Sequence, residues 1–370
     1  MFLFVFLLPG GIKDLKAFKM FRAKDQTDRN HGWPKVVAPE YDAGASDANR
    51  HRTDADILLG GVVGIAGDDS QVDRISHAVE DNVASGAGRN DKSPDGRINR
   101  SGFDHASGQN SRWVESDLSG SRFSNTLLNH SSWVDCIFDG VAFEGSDLEK
   151  SSFVHGSFPG TSFSGARLIK TAFIGPILNQ AFFTGAIFQN PIFIKVSLKG
   201  IDFSNMSLPM IQASSSDLSG TRWVGSDIRL ANFYQSDLTG AVLDGASAEK
   251  ALFSESRMEG VSARGAMLKM ASFQKTSART IDLTQSDLSL SQWRQSDCEG
   301  ANFTDSNLSF GDFSHANLKN SLFGGAILNR TNFHRALEEG ADYSGSSRPL
   351  GRETDPELQE AEDFVPRNSP

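Results

Sequence analysis

Histidine, cysteine and aspartate are the side chains through which this 370-residue chain could do chemistry. Metal binding or acid–base catalysis needs several of them to converge within a few ångströms. His130, His155, His315 and His334 fall at outward positions of a repeating frame, on widely separated coils. Cys136 and Cys298 fall at inward positions, eight coils apart and too distant to bridge. No carboxylate pair or Cys/His cluster has ligand spacing, so no catalysis, cofactor or metal is expected of the repeat region. "LLGGVVGIAG", residues 58–67, has spaced glycines but neither a dinucleotide-binding nor a P-loop arrangement.

The aspartates at 217, 227, 237, 287 and 297 could do a different chemistry, since a recurrent acidic face can imitate a DNA backbone. That physics needs dense negative charge. From Arg112 through Asp342 there are 24 acidic and 19 basic residues, and no Asp or Glu between Lys150 and Ile201. The requirement is poorly met, and direct binding of nucleic acid is not expected of an acidic chain at net −10.

What positions these residues is a five-residue frame. In "ANFTDSNLSFGDFSHANLKN", residues 301–320, Phe303, Leu308, Phe313 and Leu318 recur five apart, a period that neither an amphipathic helix nor a strand has. From Trp113 to Phe333 every position ending in 3 or 8 is Leu, Phe, Trp, Ile, Met, Ala or Cys, with no insertion. The residue two before each of these centres is small, except at Pro176, Pro191, Ile201, Met206, Ile211 and Ile281. The stretch is one repeat array.

A twenty-residue period lies over the five. Centres from Trp113 and Phe123, taken every twentieth residue, are mostly aromatic, whereas those from Leu118 and Leu128 are aliphatic apart from Phe138, Phe158 and Phe188. Glycine two residues after a centre concentrates in the Leu118 and Phe123 classes, which predicts type II turns at two corners of each coil. Four pentapeptides therefore make one coil. The centre and the small residue before it point inward, and coils stack at a strand spacing of ~4.8 Å, about eleven of them.

Units such as "ANFTD", "ANLKN", "SDLSG" and "SDLTG" resemble the pentapeptide-repeat proteins over about 230 of the 370 residues. The resemblance implies an all-β solenoid, a right-handed quadrilateral β-helix. It leaves function open among topoisomerase-binding DNA mimics, secreted bacterial effectors and scaffolds. The reading adopted is a non-enzymatic protein-binding scaffold, its partner unidentified, with a homodimer as one form of partnering.

Two outer surfaces carry that reading. One corner column runs Met210, Leu230, Lys250, Met270, Leu290 and Phe310, where solvent would favour polar residues. Its occupant is either a partner protein or the chain's own first 85 residues. The second surface is a belt, "FIGPILNQAFFTGAIFQNPIFIK", residues 173–195, whose outward positions become Ile177, Phe182, Ile187 and Ile192. It reads as a docking, dimerisation or membrane-facing band, or as wider packing at the corners.

The ends differ from the array. Residues 1–110 read as a largely irregular extension with one helix at 71–84, capped by Ser70 and Asp73, that would shield the Trp113 end of the solenoid. The apolar run at residues 1–8 is too short for a membrane span and lacks a basic flank, so no transmembrane segment is expected. Residues 111–343 form the solenoid. In 344–370, Asp355 and Pro356 read as the start of a short acidic helix through about Phe364. Location in the cytoplasm and export by a specialised bacterial system both fit this layout.

Overall fold

Residues 99–364 are described by the structure, a computed structural model. The expected helix at 71–84 and the apolar run at 1–8 lie outside the described residues. Short parallel strands run through the array: β1 (Arg112–Val114), β2 (Ser132–Val134), β3 (Ser152–Val154), β4 (Arg167–Ile169), β5 (Ala172–Ile174), β6 (Ile187–Gln189) and β7 (Ile192–Ile194). One sheet has the order β1-β2-β3-β5-β7 and another pairs β4 with β6. Every pairing joins residues twenty apart, as Trp113 with Trp133 and Phe153 with Phe173. Single bridges at the same interval complete the four sides of most coils, for example Asp217 with Asp237 and Arg222 with Val242.

Coil stacking extends beyond the 111–343 read from the sequence. Gly102 bridges to Arg122 at one end and Asn332 to Arg352 at the other. Phe103 already stacks on Phe123, ring centroids 4.6 Å apart. The frame hides this early start because the next centre is Gly108, which contributes no hydrocarbon.

Inside, the centres pile into ladders. Phe153, Phe173 and Phe193 stack with centroids 5.0 and 5.1 Å apart and near-parallel planes, which is the strand spacing expressed in aromatic rings. The small slot tolerates serine and threonine because most of the buried hydroxyls find a carbonyl. Thr276 Oγ1 donates to Phe253 O in the preceding coil (2.7 Å), and Ser286 Oγ to Leu283 O within its own (2.6 Å).

The corners correct one expectation. Positive φ occurs at all four corners of a coil and not at two: Glu255, Gly260, Gly265 and Met270 have φ of 57°, 64°, 61° and 60°. Glycine marks only the corners where it is used. Other residue types accept the left-handed conformation, at about 1 kcal/mol or more, because their N–H groups bond the next coil, as Met270 N to Ser289 O (2.9 Å).

At the far end the tail folds back as a cap. A 3-10 turn, Arg348–Leu350, precedes helix α1, Pro356–Asp363, whose N-cap Asp355 accepts from Glu357 N and Leu358 N. The Arg348 guanidinium lies 4.2 Å from the Phe333 ring centroid and pairs with Glu338 and Glu353. It thus covers the last aromatic rung with cation–π contact and neutralised charge.

Candidate interaction surfaces

Met210, Leu230, Met270, Leu290 and Phe310 all sit at left-handed corners. Their side chains are 40 to 50% exposed among the described residues. Each breaks two rules at once, a bulky residue at positive φ and a large apolar side chain in water. The flanking corners in the column, Lys170, Asn190 and Arg330, are polar. Arg330 folds its guanidinium to 5.7 Å from the Phe310 ring centroid and closes the apolar run at that end.

The belt lies on a fault in the coil stack. Ile177, Phe182 and Ile187 are exposed, the latter two at 56 and 52%, and Ile192 is half-buried. Ile177 bridges onward to Ser197 and Ile192 to Gln212, but no bridge joins Phe182 to Asp202 or Ile187 to Ser207. Strand β6 is accordingly the last strand of its sheet. The inter-coil hydrogen bonds of the Phe183, Gly185, Phe188 and Asn190 N–H groups are missing among the described residues, while Leu178 N to Ser197 O (2.7 Å) and Phe193 N to Gln212 O (2.5 Å) hold the opposite sides shut. A cleft of about 550 Å³ opens there, lined by Ala181, Phe182, Phe183, Gly200, Ile201 and Asp202. Its cause is visible in the small slot, where Ile201 and Met206 add bulk on successive sides against Phe183 and Phe188. The stacked rings Phe163 and Phe183 are 5.3 Å apart, whereas Phe183 and Phe203 tilt and separate to 6.0 Å.

The aspartate column turns out to serve the corners. Asp217 Oδ1 accepts from Ser219 N (3.0 Å) and Ser219 Oγ (2.7 Å), and Asp237 and Asp287 accept from Thr239 N and Ser289 N in the same way. Arg229, Arg257 and Arg279 pair with Asp227, Asp237 and Asp297. The charge is spent on turns and ion pairs, not displayed as a bare acidic face.

Histidine placement corrects a second expectation. His334 is not outward but 3% exposed, because the tail covers it, and His315 joins it with ring centroids 5.5 Å apart. Glu362 of α1 bridges the two: His315 Nε2 and His334 Nε2 each lie 3.3 Å from one of its oxygens. The ligand atoms lie within 4.8 Å of one another, a donor set of the kind zinc takes. Hydrogen bonding argues against a metal there. His334 Nδ1 accepts from Asp355 N–H (3.1 Å), so the neutral ring carries its proton on Nε2 and gives it to Glu362. A metal on Nε2 would leave that ring with no proton on either nitrogen. The cluster is therefore a clamp for α1.

Burial raises the Glu362 carboxyl, and hydrogen bonds from His334 and His315 outweigh it and hold the group below the usual carboxylate range. A carboxyl lowered in the folded state stabilises it above the unfolded value, ~4.3, and that contribution is lost as pH falls through the folded value. As pH falls through that lowered value, α1 is expected to leave the solenoid. At neutral pH Glu362→Ala should do the same, with hydrogen exchange of residues 355–363 losing protection while the coils keep theirs. Retained protection in the variant would remove the clamp.

Both cysteines are free and buried. Among the described residues no helix is long and apolar enough to cross a membrane.

The parallel ladders, the twenty-residue register and the left-handed corners define a four-sided parallel β-solenoid. The sequence model of pentapeptide repeats matches eight copies, within residues 116–154, 166–205, 212–247 and 281–320. The chain is a pentapeptide-repeat protein. Among solved structures it is similar to HetL, a pentapeptide repeat protein involved in heterocyst differentiation regulation from the cyanobacterium Nostoc sp. strain PCC 7120, at 16% identity over 75% of this chain and 96% of that one, TM-score 0.22. It is similar to a pentapeptide repeat protein of the Arabidopsis thaliana thylakoid lumen at 28% identity over 30% of this chain and 66% of that one, TM-score 0.21. Full-length QnrB1, a plasmid-mediated fluoroquinolone resistance protein, aligns at 18% identity over 70% of this chain and all of its own, TM-score 0.17. A search of curated proteins finds no match.

Proposed function

We propose that this protein is a non-enzymatic scaffold that binds another protein along the corner column Met210–Leu230–Met270–Leu290–Phe310. The observation that carries the reading is the run of exposed apolar side chains at those corners. Elsewhere in the same column polar residues hold the same left-handed conformation, as at Lys170, Asn190 and Lys250, with nothing apolar exposed. A run of large apolar side chains in water costs stability in the free protein, and burial against a partner offsets it.

Affinity capture from the cells that make the protein is expected to retain a binding protein that the Leu230→Lys, Leu290→Lys double variant retains at least tenfold less, equivalent to ~1.4 kcal/mol. A variant that keeps its fold and captures the same proteins to the same extent would rule this surface out. DNA mimicry is not supported by the aspartate column, whose charges are engaged at the corners and by arginines. An exported effector remains a separate reading that rests on residues 1–100, and it is tested by whether they direct export of a reporter.

A further inference from the structure

We infer that the fault in the coil stack is a second binding site, independent of the corner column, and that it takes an extended peptide strand with an apolar middle and acidic ends. Backbone chemistry selects the ligand class. Phe183, Phe188, Asp202 and Ser207 have lost their inter-coil N–H bonds among the described residues, and the carbonyls that the register would give them have lost those donors. Unmet donors and acceptors along a strand edge are matched by the backbone of another strand.

Side chains at the lips narrow the class. Phe182 and Ile187 project outward beside the open edge and would flank apolar side chains of an added strand. The surrounding surface carries no acid from Lys150 through Ile201, and Lys170, Lys195 and Lys199 are in no ion pair among the described residues. Asp202 is the one acid on the cleft wall, and its charge is already turned toward Arg222 (3.8 Å) and Ser204 N (2.8 Å). Lys199 adjoins the wall residue Gly200, so an acidic end of the strand meets a cation there, beside a carboxylate already turned to Arg222.

The fault is built in. At Ile281 an isolated oversize residue leaves the ladder intact, with Asp282 N bonded to Val261 O (2.8 Å). In the run Ile201, Met206, Ile211 the stack parts at the first two, which face Phe183 and Phe188, and is closed again at the third, where Gln212 N bonds Pro191 O (3.0 Å). Replacing both by the small residues of the repeat, Ile201→Ala with Met206→Ser, is expected to close the cleft.

The test pans a random twelve-residue peptide library on the full-length protein and measures the best synthetic peptide by fluorescence anisotropy. Expected are acidic-ended peptides with alternating apolar residues whose binding weakens at least tenfold in a Phe182→Asp, Ile187→Asp variant and in the closed variant. Backbone N-methylation of the peptide should also abolish binding, and hydrogen exchange at Phe183 and Phe188 should slow when the peptide is added. The Leu230→Lys, Leu290→Lys variant should bind the peptide within twofold of the parent, which separates this site from the corner column. Failure to enrich such peptides, or binding indifferent to the lip variant or to N-methylation, overturns the proposal. So does protection of those amides without peptide, which in a monomer would assign the cleft to the chain's own residues and in a dimer to a second copy.

Discussion

Trp293→Ala is expected to lower the free energy of unfolding by about 3–5 kcal/mol. Trp293 is fully buried, stacked on Phe273 with centroids 3.9 Å apart and on Phe313 at 5.5 Å, and it meets Phe303 edge-on at 5.5 Å. Its Nε1 donates to Ser291 Oγ (2.8 Å), so alanine leaves both a cavity and a buried hydroxyl with one fewer partner. In a solenoid each coil is supported only by its neighbours. The loss should therefore appear as a lower urea midpoint together with faster hydrogen exchange around residues 270–320. A variant within 1 kcal/mol of the parent, well under the expected range, would mean that the ladder is not the source of stability.

Alkylation of Cys298 in the native protein is expected to be at least about a thousandfold slower than in the unfolded chain at pH 8. Burial pushes this thiol up to about 12, with its hydrogen bond to the Ser296 hydroxyl opposing. At a fixed pH well below the pKa, raising a thiol's pKa by one leaves about a tenth of the thiolate, and only the thiolate reacts. An acid raised in the folded state stabilises it fully below the unfolded value, and that contribution is lost as pH rises between the unfolded value, ~8.5, and the folded one. Thiol labelling followed by mass spectrometry, with and without urea, checks both statements. Comparable rates in the two states would place Cys298 at the surface.

These expectations rest unequally on sequence and on fold. The aromatic rungs were readable in advance because a side chain that must point inward every fifth residue leaves a chemical trace that no neighbour can supply. The corners were half readable. Glycine advertises positive φ, but Met270, Gln285 and Leu290 take the same conformation silently, since the inter-coil hydrogen bond and not the side chain enforces it. The cleft had a trace, the oversize Ile201 and Met206, whose consequence could not be read because a slot's tolerance depends on the ring it faces.

By itself, then, the amino-acid order determined the pentapeptide frame, the twenty-residue coil and the inward ladders, because repetition converts one local preference into a whole architecture. Tertiary structure alone decided that His334 is buried and clamped with His315 by Glu362, and that one half-coil stands open. The clamp depends on contacts between residues 28 and 47 positions apart, which no period in the chain encodes.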